Sequence, residues 1–179
     1  ETQPAAGTLV PSASDNSTST HSVRFLNFNR EATALASGRF PGQKSDALIL
    51  ASATSVSAYN VEDNTDIFYK DISDGASATA FGAFSIGATS EEPSVFVGGI
   101  GSVYGLNAEG QEVFWGATGE RVTALAVVPW GVKPPPPPSG TAASLDSVTP
   151  QISGVMQQCL VVGSGDHEIR AFAGSDSIF

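Results

Sequence analysis

The chain has 179 residues, a formal net charge of −10 and a pI near 4.4; 41 % of it is hydrophobic and 15 % charged. The acidic balance argues against direct nucleic-acid binding, because phosphates would be repelled, and it disfavours an anionic membrane surface. The hydrophobic share excludes a wholly disordered or coiled-coil chain, and the 19 glycines with few helix-favouring charge pairs lean towards β structure.

A single cysteine, Cys159, cannot close an internal disulfide. No apolar run approaches the roughly 18 to 20 residues of a membrane-spanning helix. The first residues lack the basic-then-apolar form of a signal peptide. The expected setting is therefore reducing and intracellular, without direct membrane insertion. The absence of an initiator Met reads as the start of an excised piece of something longer.

In chain order, residues 1–21 read as a flexible Ala/Ser/Thr/Pro-rich tail. Its only apolar pair, Leu9-Val10, buries too little surface to offset the chain entropy. Asn16-Ser17-Thr18 matches a glycosylation acceptor but reads as a chance match in a Ser/Thr-rich segment. From residue 22 the character changes. Val23, Phe25, Leu26 and Phe28 form a strand-like run, expected as a strand from a preceding repeat. Thr33-Ala34-Leu35 then opens a unit that returns at Thr79-Ala80-Phe81 and Thr123-Ala124-Leu125, a period of about 45 residues. Small residues at these starts (Ala34, Ala80, Ala124) suit strands crowded at an axis.

Each unit carries three further strand patterns. The second strands are apolar at consecutive positions: Ala47–Ser52, Ser94–Gly99 and Cys159–Ser164. That pattern predicts strands covered on both faces. Third strands are mixed, at Val56–Tyr59, Val103–Leu106 and Ile169–Phe172. Fourth strands carry large aromatics, Ile67-Phe68-Tyr69 and Phe114-Trp115, with Ser177-Ile178-Phe179 as the last and shortest copy. Such residues favour β structure and fill a widening wedge between sheets. Polar turns join them, at Asn60–Thr65 and at Asn107-Ala108-Glu109-Gly110, where Gly110 supplies a positive φ. No window sustains helical apolar spacing. The fold class is all-β: a partial β-propeller of about three four-stranded antiparallel blades over residues 22–179. A Pro-rich loop insertion covers about residues 131–158, where Pro134 to Pro138 cannot form an inner strand. A docking motif for a proline-reading domain is conceivable there, and a solvated insertion is the preferred reading.

The chemistry-bearing residues form no convergent set. Asp166-His167-Glu168 resembles a metal cluster but reads as a polar hairpin tip; His21 is the other histidine. Glu62, Asp63 and Asp66 lack the spacing of a calcium loop. Gly163-Ser164-Gly165 is no nucleophile elbow, and Gly98-Gly99-Ile100-Gly101 has no lysine or helix after it for a phosphate loop. Cys159 reads as a small buried residue. Phe68, Tyr69, Phe114 and Trp115 read as packing between blades, with partner anchoring as the alternative. Catalytic, cofactor and metal residues are accordingly assigned as none, and partner-binding residues are left open.

A resemblance runs from Ser22 to Phe179. The phrases Asn64-Thr65-Asp66-Ile67-Phe68-Tyr69, Asp71-Ile72-Ser73-Asp74-Gly75-Ala76, Gly105-Leu106-Asn107, Phe114-Trp115 and Ile169-Arg170-Ala171-Phe172 are similar, in order, to the N-terminal propeller of the Bardet–Biedl syndrome protein 2 family. The family implies a non-enzymatic scaffold and protein-interaction module of the BBSome, a coat-like complex that moves membrane proteins into and out of cilia and flagella. It implies other BBSome subunits as partners, ciliary membrane-protein cargo as a further candidate, and residence in cytoplasm, cilium or flagellum, and basal body. Where the family's third repeat has a short acidic Asp/Gly turn, this chain has the proline-rich insert, so no calcium-like loop carries over. The alternatives are a ligand-binding or enzymatic propeller with a site at the axial channel, and another intracellular propeller adaptor. Three blades leave open edges, so the isolated chain is expected to self-associate or to need further blades.

Overall fold

The computed structural model describes residues 25–84, 92–132, 156–174 and 176–177, and every regular element among them is a β-strand. The first sheet holds β1 (Ala34–Gly38), β2 (Ala47–Ser52), β3 (Ser55–Asn60) and β4 (Thr65–Asp71). The second holds β5 (Ala78–Phe84), β6 (Glu92–Gly98), β7 (Ser102–Leu106) and β8 (Glu112–Ala117). The third holds β9 (Val122–Val132), β10 (Met156–Ser164), β11 (Ile169–Ala173) and β12 (Asp176–Ser177). Each is an antiparallel meander in which neighbours in sequence are neighbours in the sheet. The turns carry the expected chemistry: Asn64 has φ 55 and Gly110 φ 73.

Two cores separate the three sheets. Ile49, Val56, Ala58, Phe68, Val95, Val97 and Leu106 fill the first; Phe96, Val103, Phe114, Val122, Leu160, Val162 and Phe172 fill the second. Strand β6 shows why its sequence is apolar at consecutive positions. Val95 and Val97 face the first sheet, Phe96 faces the third, and all three are 0 % exposed. At roughly 1.5–3 kcal/mol per fully buried side chain, these faces hold the sheets together. Edge-on ring pairs bridge both cores, Phe40–Phe81 at 5.1 Å and Phe114–Phe172 at 5.5 Å.

First strands meet without room for a side chain. A Cβ on Gly38 would lie 1.8 Å from the Phe81 ring, and one on Gly82 would lie 2.6 Å from Val127. Hydroxyls on the residues just before β1 and β5 latch the chain to the start of the next sheet. Thr33 Oγ1 donates to Ala76 O at 2.6 Å, and Ser77 Oγ to Val122 O at 2.6 Å. Ser77 Oγ also approaches Gly98 O at 3.1 Å, as Thr123 Oγ1 approaches Gly163 O at 3.2 Å.

These bonds correct the repeat alignment. The counterpart of Thr33 and Thr123 is Ser77, not Thr79; Thr79 aligns with Leu35 and Leu125, and its buried Oγ1 has no partner. Ser77-Ala78 and Thr79-Ala80 both set a hydroxyl residue before an alanine, and only the hydrogen-bond register separates them. A second correction concerns Phe25–Phe28, which form no strand: a strand exists only where its backbone groups pair with a neighbour, and these residues join none of the three sheets. Strand β9 runs through Pro129 to Val132 and β10 starts at Met156, so the described strands reach into both ends of the expected insert. Pro129 fits because β9 is the edge of its sheet. The tail, the five prolines, Ile178 and Phe179 lie outside the described residues.

Candidate functional site

The crossover from β4 to β5 builds a hydrogen-bonded junction with the β6–β7 loop. Ile72 is buried and its N–H donates to Thr54 O at 2.8 Å, which pins the chain as it leaves the first sheet. Gly75, at φ 85, closes the turn with its N–H on Ile72 O at 3.0 Å. Between them, Asp74 reaches across to the β6–β7 loop. Its Oδ2 accepts the Gly101 N–H at 3.0 Å and the Ser102 hydroxyl at 2.5 Å, while its carbonyl accepts the Ile100 N–H at 2.8 Å. Burial by itself would raise the Asp74 carboxyl; the donors from Ser102, Gly101 and Ile100 together outweigh it and hold the pKa below the ordinary value. The clip therefore keeps a charged carboxylate fixed between two sheets.

Two openings flank this clip. One, of about 420 Å³, is lined by Glu31, Thr33, Ser77, Gly99, Ile100 and Arg121 among others. The other, of about 410 Å³, is lined by Ser73, Asp74, Gly101, Ser102, Tyr104 and Trp115. Their chemistry is that of recognition: fixed charge, backbone polar groups and an aromatic face.

The residues singled out in the sequence separate by role. Asp166 and Glu168 sit at the β10–β11 hairpin and hold an arginine: Arg170 pairs with Asp166 at 3.2 Å and with Glu168. The Ser164 hydroxyl on Asp166, more than any other influence, holds that carboxyl below its usual value. His167 takes the turn position at φ 66. Among the described residues no group of three or more His, Cys, Asp or Glu is placed to hold a metal ion. Asn60 Oδ1 accepts the N–H groups of Glu62 and Asp63, so that acidic stretch is an Asx-type turn. Cys159 is fully buried, and burial pushes its thiol pKa up. Gly98–Gly101 is the loop held by Asp74.

The four aromatics do not share one role. Phe68 and Phe114 are core residues at 7 % and 5 % exposure, whereas Tyr69 and Trp115 are 51 % and 57 % exposed. Packing was expected for all four, and the pleat of the strand is what divides them, since neighbours point to opposite faces. The Asp74 clip was not foreseen as a site. Its only sequence signal is a Ser-Asp-Gly turn 26 positions before a Gly-Ile-Gly-Ser loop, and nothing in that separation announces a contact.

Comparison with known proteins adds the relationship. A family model described as ciliary BBSome complex subunit 2, N-terminal, matches residues 3–82. BBSome complex member BBS2 of Danio rerio is 35 % identical over 126 residues, covering 70 % of this chain and 16 % of the relative. The Homo sapiens protein of the same name is 31 % identical over 151 residues, covering 84 % and 18 %. The Caenorhabditis elegans BBSome complex member bbs-2 is 27 % identical over 147 residues, covering 82 % and 17 %. The chain thus spans only 16–18 % of the length of these relatives. Among solved structures, BBS1N in a crystal structure with ARL6DN superposes at TM-score 0.54 with 12 % identity, over 79 % of this chain and 40 % of that one. At that identity the likeness is one of fold, and it places the three sheets in a propeller-type arrangement.

Proposed function

We propose, from the premise that the chain is a homologue of the N-terminal part of BBSome complex member BBS2, that it is a non-enzymatic scaffold and protein-interaction module of a BBSome subunit. Its role is in trafficking membrane proteins to and from cilia and flagella, within cytoplasm, cilium or flagellum, and basal body. Its partners are other BBSome subunits. The observation that carries this reading is sequence identity of 31–35 % to BBS2 relatives across 70–84 % of the chain, combined with a fold whose loops present recognition surfaces. A scaffold needs rigid faces more than a reactive centre, and the two close-packed apolar cores between the sheets supply that rigidity.

Affinity purification of the full-length parent protein from ciliated cells, with mass spectrometry of stoichiometric partners, tests the assignment. Recovery of the remaining BBSome subunits is the expected result. A parent protein recovered alone, with none of them, would overturn it.

A further inference from the structure

The repeat contains one slot twice, filled in the first sheet and open in the second. Register sets the correspondence. Ala51, Val56 and Lys70 lie abreast in the first sheet as Gly98, Val103 and Gly116 do in the second. Ser55 therefore corresponds to Ser102, and Tyr69 to Trp115. Arg30 and Asp74 each lie three residues before the latch hydroxyls of Thr33 and Ser77. In the first sheet Arg30 occupies the slot: its guanidinium sits 5.2 Å from the Tyr69 ring centroid, donates to Ser55 Oγ at 2.8 Å and to the Tyr69 hydroxyl at 2.6 Å.

In the second sheet the chain places a carboxylate where that guanidinium would be. Asp74 Oδ2 takes the Ser102 hydroxyl at 2.5 Å, the counterpart of the Arg30–Ser55 bond. The facing aromatic is larger, Trp115, and is 57 % exposed. Among the described residues no cation lies over it; the one such pairing is Arg30 with Tyr69. The space between is the 410 Å³ opening lined by Ser73, Asp74, Gly101, Ser102, Tyr104 and Trp115. A carboxylate offers about four acceptor positions, so two donors on Oδ2 leave capacity for an incoming fork. Tryptophan is the best of the side-chain rings for a cation on its face.

The geometry points to this opening as a receptor for an arginine side chain of a partner protein, stacked on Trp115 and hydrogen-bonded to Asp74. The first sheet shows the arrangement completed internally with Arg30. The net charge of −10 favours the approach of such a basic partner. The inference rests on the scaffold reading only for the source of the arginine. The slot is tested on the chain itself, so its failure is separate from failure of the affinity purification.

The probe is N-acetyl-arginine methylamide, titrated into the ¹⁵N-labelled chain, shown beforehand by its β-sheet circular dichroism and dispersed amide signals to be folded, while the indole N–H signals of its two tryptophans are followed. The Trp115 signal is identified by its loss in Trp115→Phe. A saturable shift of that signal is expected, with a Kd on the order of 1–10 mM for a single side chain. The uncharged isostere N-acetyl-citrulline methylamide is expected to bind at least about tenfold more weakly, and Asp74→Asn to weaken the arginine probe by about the same factor. Because Asp74→Asn also breaks the loop clip, Trp115→Ala provides the independent variant. Its ring is exposed, and its loss is expected to abolish saturable binding, read from the Gly101 and Ser102 amide signals, with the β-sheet circular dichroism unchanged. No Trp115 shift at about ten times the expected Kd, an equal response to citrulline, or undiminished binding to Trp115→Ala would each overturn the proposal.

Discussion

Replacing Ser77 by Ala and Thr79 by Val changes two hydroxyls two positions apart, one just before β5 and one within it, and the structure assigns them opposite effects. Ser77 Oγ donates across sheets to Val122 O at 2.6 Å. Its removal forfeits a net hydrogen bond of about 1 kcal/mol and leaves a carbonyl short of a donor, for a total cost of about 1–2 kcal/mol. Thr79 Oγ1 is enclosed without a partner, in a row where Leu35 and Leu125 are apolar. Valine keeps the shape and removes the stranded oxygen, a gain of about 1 kcal/mol. The two variants should therefore differ by about 2–3 kcal/mol, measured by urea unfolding with unchanged m-value so that midpoints compare directly. In thermal unfolding that is a separation of roughly 4–12 °C for a chain of this size. A Thr79→Val chain less stable than the parent, or a Ser77→Ala chain equal to it, would refute both the latch and the repeat alignment drawn from it.

Two further outcomes follow from the same packing. Gly82→Val places a Cβ within 2.6 Å of Val127 and should cost about 1–3 kcal/mol, while Gly101→Ala, with nothing within 4 Å of its added Cβ, should stay within about 0.5 kcal/mol; equal midpoints in urea for the two would contradict the close approach of the first strands. Asp74→Asn should destabilise the chain at neutral pH, with the difference fading in acid. The folded-state pKa of Asp74 lies below its unfolded value, so its contribution is fully present above about pH 4 and is lost as pH falls through the folded value. A stability gap between Asp74→Asn and parent that stays constant from pH 7 to about pH 3 would exclude the charged clip.

The sequence by itself determined the all-β class, the strand order within each repeat and the both-faces-buried character of the second strands. These rest on local periodicity: Val95, Phe96 and Val97 can be apolar in succession only where two sheets cover them. It also carried the family relationship, because the resemblance lies in ordered phrases such as Asp66-Ile67-Phe68-Tyr69 that survive without coordinates.

Tertiary structure alone decided which residues in these phrases meet. A shift of two positions preserves the face of a strand, so Thr79 fits the periodicity as well as Ser77, and only hydrogen bonds to the neighbouring sheet choose between them. Phe40 lies in a turn with no periodic neighbour, yet it is 1 % exposed because Phe68 and Phe81 close over it from two sheets. Trp115 and Asp74 are separated by 41 positions and become one site only when the β4–β5 crossover lays its turn against the β6–β7 loop. Local pattern fixes what each strand buries. Contacts between sheets depend on where the chain returns in space, and no spacing along the sequence records that.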